Sequence, residues 1–121
     1  MTNIRAKGKR YEYKALEVLE KNGYKAVRIP ASATGKQPLP DIIAVKDNVI
    51  YAIEVKSSSS DCVKVRSLQL MKMKEFCELF SFCNCKISVL AFFTKYKSVK
   101  QYVINDVDGG KDLKICIQRK E

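Results

Sequence analysis

The stretch that decides the fold runs from Pro40 to Lys56 and reads PDIIAVKDNVIYAIEVK. It predicts a β-hairpin, because two apolar runs flank an Asp47-Asn48 pair of the kind that forms tight turns. Side chains alternate between the faces of a strand, so Glu54 and Lys56 share one face. The hairpin places the start of its first strand, Asp41, beside the end of its second. We therefore expect two carboxylates and an amine to meet at one end of a sheet.

The length and composition indicate one folded domain over residues 1–121, with residues 1–8 forming a mobile basic arm. A chain of 121 residues that is 46% apolar can bury a core of its own. No apolar run approaches the ~20 residues of a membrane span, and no signal-peptide core follows Met1. We expect an intracellular, cytoplasmic protein with no membrane partner.

The net charge and the absence of histidine limit which partners the protein could bind and which reactions it could catalyse. The formal net charge of +10 favours a polyanionic partner such as DNA. Lys7 in the arm and Lys9 directly after it either contact phosphates or are simply solvated. The chain contains no histidine, which excludes histidine-based triads and nucleases and the usual zinc hydrolases. Any hydrolysis must use carboxylates, lysine and a hard metal ion.

The five cysteines show none of the Cys-x-x-Cys spacings of zinc and redox sites. We expect reduced and mostly buried thiols.

Hydrophobic periodicity and turn residues predict a mixed β-sheet flanked by helices, an α/β fold. The predicted helices span about 9–22 and 65–82. The predicted strands span 24–29, the two arms of the hairpin, 86–93, 101–105 and 113–118. The run Ser57–Asp61 is predicted to be a flexible polar link.

Asp41 and Glu54 are the predicted ligands of a hard divalent cation, with the backbone carbonyl of Val55 as a third. Mg²⁺ prefers such oxygen ligands and is commonly held by one or two carboxylates. Lys56, on the same face as Glu54, would orient water and offset phosphate charge. The alternative is a structural ion pair between Lys56 and one carboxylate.

Two other residues and one loop each allow two interpretations. Glu12, in the first turn of the predicted first helix, could join the carboxylates or act as a helix-dipole partner. The loop 31–40 contains Ser32 and Lys36, which could contact a phosphate or belong to a plain connector. Gln69 could reach towards the carboxylates or serve as a helix cap.

These residues carry a family resemblance. Pro40-Asp41 with Glu54-Val55-Lys56 matches the active-site pattern of the PD-(D/E)XK nuclease superfamily. More narrowly, the chain resembles the archaeal Holliday junction resolvases over about residues 7 to 80. Four blocks in order carry that likeness: Lys7-Gly8-x-x-x-Glu12, Val27-Arg28-x-Pro30-Ala31-Ser32, Pro40-Asp41-Ile42-Ile43-Ala44 and Glu54-x-Lys56-Ser57. The small size and the weakly matched last third suit an archaeal virus as well as its host.

The resemblance implies a restriction-endonuclease-like fold and a homodimer that cuts two opposed strands of four-way junction DNA. It implies Mg²⁺, with Mn²⁺ as a substitute, and no organic cofactor. Its implied catalytic residues are Glu12, Ser32, Asp41, Glu54 and Lys56, and its implied metal ligands are Glu12, Asp41 and Glu54. The Val55 carbonyl, expected from its position in the strand, completes the predicted ligand set. The expected DNA contacts are Lys7, Lys9, Arg10, Arg28, Lys36 and Gln69. Two alternatives stay open: a nuclease for duplex or flap DNA, and a non-catalytic basic DNA-binding module.

Overall fold

The computed structural model describes residues 4–30, 37–107 and 110–118. Within them it contains two α-helices and seven strands, and neither helix has the length and hydropathy of a membrane span. The predicted α/β class is confirmed. The elements are α1 (Ile4–Lys21), β1 (Lys25–Arg28), β2 (Ile42–Lys46), β3 (Val49–Ser58), β4 (Cys62–Val65), α2 (Ser67–Glu78), β5 (Asn84–Phe93), β6 (Ser98–Ile104) and β7 (Leu113–Cys116).

Five of these strands form one mixed sheet in the order β1-β2-β3-β5-β6. The pairs β1–β2, β2–β3 and β5–β6 are antiparallel. The central pair, β3 with β5, is parallel from Val49 opposite Asn84 to Ser58 opposite Phe93. Strands β4 and β7 form a separate antiparallel pair. The long central strand β3 therefore organises the sheet and carries the predicted site at its far end.

The hairpin predicted from the opening stretch is confirmed. Asp47 and Asn48 both have positive φ values, of 51° and 66°. Such a two-residue turn matches the twist of the flanking strands, and Asp and Asn tolerate the left-handed conformation better than other side chains. The register runs from Lys46 opposite Val49 to Ile42 opposite Ile53.

The two faces of the sheet each bury an apolar cluster, one beneath each helix. The α1 cluster includes Ala15, Leu19, Ile42 and Ile53, while the α2 cluster includes Leu70, Met73, Ala52 and Val89. Successive residues of β3 alternate between the clusters, as strand geometry requires. Glu54 and Lys56 have the parity of Ala52 and so face the α2 side.

The first helix starts earlier than predicted. It begins at Ile4 and not near Lys9, so residues 4–8 of the predicted arm are helical. Glu12 consequently lies in the middle of α1, and the first turn holds no acidic residue. This removes the helix-dipole reading of Glu12, since the dipole effect is confined to the terminal turn.

The predicted link after Lys56 is wrong for its first two residues. Ser57 and Ser58 continue β3, because pairing with Phe92 and Phe93 on β5 overrides the weak strand preference of serine. The next strand, β4, was not predicted, and α2 begins at Ser67 and ends at Glu78, shorter than expected at both ends. Later boundaries shift by a few residues, the largest change being the start of β6 at Ser98.

The prediction of reduced cysteines is wrong for four of the five. Cys62 is bonded to Cys116, and Cys77 is bonded to Cys85, while Cys83 is free and exposed. Cys62 and Cys116 lie directly opposite each other on β4 and β7. Their 54-residue separation in sequence gave no sign of this proximity.

Candidate active site

The register of the β2–β3 hairpin brings Asp41 and Glu54 together. The last ladder pair is Ile42 with Ile53, so Asp41 and Glu54 occupy the next opposed positions on the same face. Glu54 is buried, with 8% of its surface exposed, and its carboxyl is hydrogen-bonded to that of Asp41. The structure thus joins the two carboxylates that the sequence placed at this end of the sheet.

The surroundings of the Asp41–Glu54 pair disfavour negative charge on Glu54. Burial raises the pKa of Glu54 well above its ordinary value, and the hydrogen bond and charge of Asp41 raise it further. The charge of Glu12 acts in the same direction, while the Lys56 ammonium opposes it. A cation at this spot would satisfy the carboxylates, and their oxygen chemistry fits a hard divalent ion.

A backbone bond orients Asp41. Its Oδ2 accepts a hydrogen bond of 2.9 Å from the N–H of Val55. In a strand the N–H and C=O of one residue point to the same side, so the Val55 carbonyl also faces β2. Extending the β2–β3 register beyond its last pair would set Pro40, which has no N–H to donate, opposite Val55. The carbonyl therefore remains suited to the ligand role that was predicted for it.

Glu12 approaches from α1 with its own counterion. Arg28 on β1 donates from Nε to Glu12 Oε1 at 3.1 Å, and the two side chains are only 14% and 18% exposed. The Arg28 guanidinium also lies over the ring of Tyr13, 5.0 Å from its centroid. Burial raises the pKa of Glu12, and the charge of Asp41 raises it further, while Arg28 lowers it. Arg28, predicted to contact DNA, is thus placed to hold Glu12.

The described residues contain no group of three or more Cys, Asp or Glu side chains arranged to hold a metal ion. The side-chain ligands available at one point are the Asp41–Glu54 pair, and Glu12 is close enough to raise the pKa of Glu54. Two carboxylates are a sufficient protein contribution for Mg²⁺, which usually keeps several waters.

The other predicted contact residues occupy separate places. Lys7, Lys9 and Arg10 are exposed on α1. Gln69 Oε1 accepts the N–H of Arg66 at 3.2 Å, which is the capping role left open by the sequence. Ser32 and Lys36 lie outside the described residues.

Asp112 was missed by the sequence reasoning. Its Oδ1 accepts the N–H of Ser67 at 2.8 Å, and its Oδ2 lies 3.3 Å from Lys64 Nζ. The hydrogen bond from Ser67, followed by that from Lys64, lowers the pKa of Asp112. No local signal could reveal this contact, because Asp112 is 45 residues beyond Ser67. Lys64 and Arg66 were also missed, although their alternation with Val63 and Val65 is a strand signal.

A mixed sheet with a helix on each face and a carboxylate pair at one end defines a restriction-endonuclease-like α/β protein. A family model described as archaeal Holliday junction resolvase (hjc) matches residues 3–119. The chain belongs to the archaeal Holliday junction resolvase family.

Relatives in archaeal viruses and in archaea agree with this membership. A crossover junction endodeoxyribonuclease of Sulfolobus islandicus rod-shaped virus 1 is 58% identical over 85% of this chain and 85% of its own length. The crossover junction endodeoxyribonuclease Hje of Sulfolobus acidocaldarius is 32% identical over 91% of this chain and 76% of its own length. The predicted resemblance is therefore confirmed.

A solved structure shares the fold. Archaeoglobus fulgidus Hjc, a Holliday junction resolvase from an archaeal hyperthermophile, superposes with a TM-score of 0.71. The match covers 88% of this chain and 85% of that one, at 23% sequence identity. At this identity the likeness establishes the fold alone, and it confirms the predicted fold class.

Proposed function

We propose that this protein is a metal-dependent endonuclease that resolves four-way DNA junctions by paired nicks in opposed strands. The observation that carries the proposal is the pairing of Asp41 with the buried Glu54 at the end of a sheet of this family's fold. The net charge of +10 suits a DNA substrate. With DNA as its substrate, we expect the enzyme to act inside the cell, in the cytoplasm.

Asp41, Glu54 and the Val55 carbonyl would hold the ion, with Glu12 as a further carboxylate at the same end of the sheet. Mg²⁺ is the proposed ion and Mn²⁺ its substitute. When bound, the ion would lower the pKa of water and stabilise negative charge on the phosphate. The fit rests on two oxygen-bearing side chains whose mutual repulsion a cation would relieve, and no organic cofactor is needed.

The protein's own groups would complete the chemistry. The Lys56 ammonium, close enough to Glu54 to lower its pKa, would orient the attacking water and offset phosphate charge. Arg28 would keep Glu12 turned towards the pair through their 3.1 Å bond. Ser32 keeps its proposed catalytic role. The proposed DNA contacts remain Lys7, Lys9, Arg10, Arg28, Lys36 and Gln69. Arg28 would in addition position Glu12.

A homodimer is the proposed assembly, because each chain has one such carboxylate pair and two opposed strands must be cut. Exposed apolar side chains support a contact surface near the end of α2. Leu79 exposes 67% of its surface and Phe82 exposes 82%. Large exposed apolar groups of this kind commonly mark association surfaces. Sedimentation velocity should give the mass of two chains.

The deciding experiment compares substrates of the same sequence. Labelled four-way junction, plain duplex and flap DNA are incubated with the protein and Mg²⁺. We expect symmetric nicks in the junction and little cutting of the others. Equal cutting of all three would reject the resolvase function in favour of a general nuclease.

Two variants separate catalysis from simple binding. Asp41→Asn and Lys56→Ala should bind the junction and fail to cut it. A wild-type protein that binds the junction without Mg²⁺-dependent cleavage would instead be a DNA-binding module. Loss of folding in both variants would indicate that the charged cluster is a structural ion pair.

A further inference from the structure

A basic cavity of about 530 Å³ opens beside Lys56 on the α2 side of the sheet. Its lining in the described part of the chain consists of Lys56, Lys64, Arg66, Leu68 and Gln69. Three of these residues are cations and none is a carboxylate. The cavity has the size of a small-ligand site. Its charge suits an anion that lies next to the Asp41–Glu54 pair.

Lys64 and Arg66 reach this cavity because successive side chains along β4 point to opposite sides. Val63 and Val65 of β4 are buried in the α2 cluster, so Lys64 and Arg66 point to the opposite side. Alternation of this kind often produces no more than a solvated strand face. Here, however, the outward side chains line the same cavity as Lys56. A bound anion would offset the three positive charges that meet there.

The backbone beneath the two cations is fixed at several points. The N–H of Arg66 is bound by Gln69, and the N–H of Ser67 is bound by Asp112. Asp112 also contacts Lys64 Nζ at 3.3 Å, although the Lys64 side chain is 66% exposed. Strand β4 is bonded to β7 through Cys62 and Cys116. A fixed base lowers the entropy cost of holding a ligand between the side chains.

We propose that Lys64 and Arg66 bind a backbone phosphate of the strand that is cut, adjacent to the phosphate that occupies Asp41 and Glu54. This inference rests on the proposed junction-cleaving function. A guanidinium binds phosphate oxygens through paired N–H groups, and an ammonium adds a point charge. Because a phosphate is the same at every nucleotide, the contact positions the strand without reading its sequence. Lys64 and Arg66 are binding residues, and neither takes part in the chemical step.

The test measures how junction affinity depends on salt. The double variant Lys64→Ala/Arg66→Ala is titrated with a synthetic four-way junction in metal-free buffer at several NaCl concentrations. The slope of log K against log[salt] should become shallower by about 0.9 for each phosphate that the variant no longer neutralises. Near 0.1 M salt the affinity should fall by roughly tenfold for each such phosphate.

The matched control removes the same charge elsewhere. Lys74→Ala/Lys86→Ala takes two lysines from a different cavity, and Lys86 lies opposite Tyr51, away from Glu54. This control should keep the wild-type slope. The charge-preserving change Arg66→Lys should retain most of the slope, which a purely structural role of Arg66 would not predict. Circular dichroism and thermal unfolding verify that each variant folds.

Two outcomes would overturn the inference. One is a wild-type salt slope in the Lys64/Arg66 double variant; the other is an equally shallow slope in the Lys74/Lys86 control. Failure of the proposed function looks different, because it would appear as equal cutting of junction and duplex by the wild type. The salt slope is measured without metal and without cleavage, so it reports on the phosphate contact in either case.

Discussion

The N–H of Val55 donates a 2.9 Å hydrogen bond to Asp41 Oδ2, so the backbone of one hairpin strand fixes a carboxylate on the other. The bond aims Asp41 at Glu54 without any third side chain. Asp41 therefore serves both the geometry of the hairpin end and the charge of the proposed site, and these two roles can be separated by substitution.

Asp41→Asn should abolish cleavage and leave folding intact. The Asn carbonyl oxygen can still accept the Val55 N–H, and the removal of one negative charge relieves its repulsion with Glu54. Cleavage should drop by about a hundredfold or more, as expected when several kcal/mol of transition-state stabilisation are lost. The thermal unfolding midpoint should be equal or higher.

Asp41→Ala is the contrasting variant, because it also removes the acceptor of the Val55 hydrogen bond. It should unfold at a lower temperature than Asp41→Asn. The two-role account fails if Ala and Asn give the same midpoint.

The stability of the metal-free protein should depend on pH through Glu54. An unfolded glutamate ionises near its ordinary pKa of 4.5, whereas burial raises the pKa of folded Glu54 well above that value. Between the two pKa values the folded state keeps a proton that the unfolded state releases, so stability decreases as the pH rises. Relative to Glu54→Gln, the wild type should lose unfolding free energy on going above about pH 4.5.

Urea unfolding in a chelating buffer at several pH values measures this difference. Glu17→Gln, at an exposed position of α1, is the control and should follow the wild-type curve. A wild-type curve that rises relative to Glu54→Gln would contradict the predicted sign.

Mg²⁺ should stabilise the folded protein at neutral pH. Binding to the folded state alone adds about 1.4 kcal/mol to the unfolding free energy when the free ion is tenfold above its Kd. The midpoint of thermal unfolding should rise with Mg²⁺ in the wild type and remain unchanged in Glu54→Gln. An equal rise in both proteins would place the ion elsewhere.

Arg28 and Glu12 should be energetically coupled in their contribution to the free energy of unfolding. Both side chains are mostly buried, so removal of either leaves a partly desolvated partner. A double-mutant cycle with Glu12→Gln and Arg28→Ala should give a coupling energy of about 1 kcal/mol. Arg28→Lys should restore little of it, because a lysine cannot reproduce the Nε donor geometry. Urea unfolding supplies the four free energies, and a coupling energy near zero would show that the contact is incidental.

The bond between Cys62 and Cys116 should contribute strongly to stability. In the chain-entropy model a loop of 54 residues corresponds to about 4 kcal/mol. Cys62→Ser/Cys116→Ser should therefore unfold at much lower urea concentration than the wild type. Alkylation of the unreduced, denatured chain should modify Cys83 alone, and modification of all five cysteines would contradict the pairing.

The hairpin and its carboxylates were predictable because their determinants are local. The Asp47-Asn48 turn sets the register, and strand parity then decides which side chains share a face. The fold class followed from the alternation of helical and strand periods. The same reasoning located Glu12 near the site through the family blocks, although it misplaced Glu12 within its helix.

The contacts that escaped prediction join parts of the chain that are far apart in sequence. Strand β4 exists because β7 pairs with it, and Ser57 and Ser58 are extended because β5 lies alongside. Asp112 meets Ser67, and Cys116 meets Cys62, only after that pairing forms. Arg28 was predicted as a DNA contact from the family blocks, and its bond to Glu12, 16 residues away in sequence, was not predicted.

The two-residue turn fixes the register of the hairpin, and that register decides whether Asp41 and Glu54 lie on the same face of the sheet. In the observed register Asp41 faces Glu54, and a slip by one residue would set it opposite Val55 or Ile53 with its side chain on the other face. Natural variation in this hairpin should therefore preserve the pairing parity. Insertions that leave the ladder intact, such as those absorbed by a bulge, should be tolerated, whereas a single-residue shift should separate the carboxylates by the thickness of the sheet.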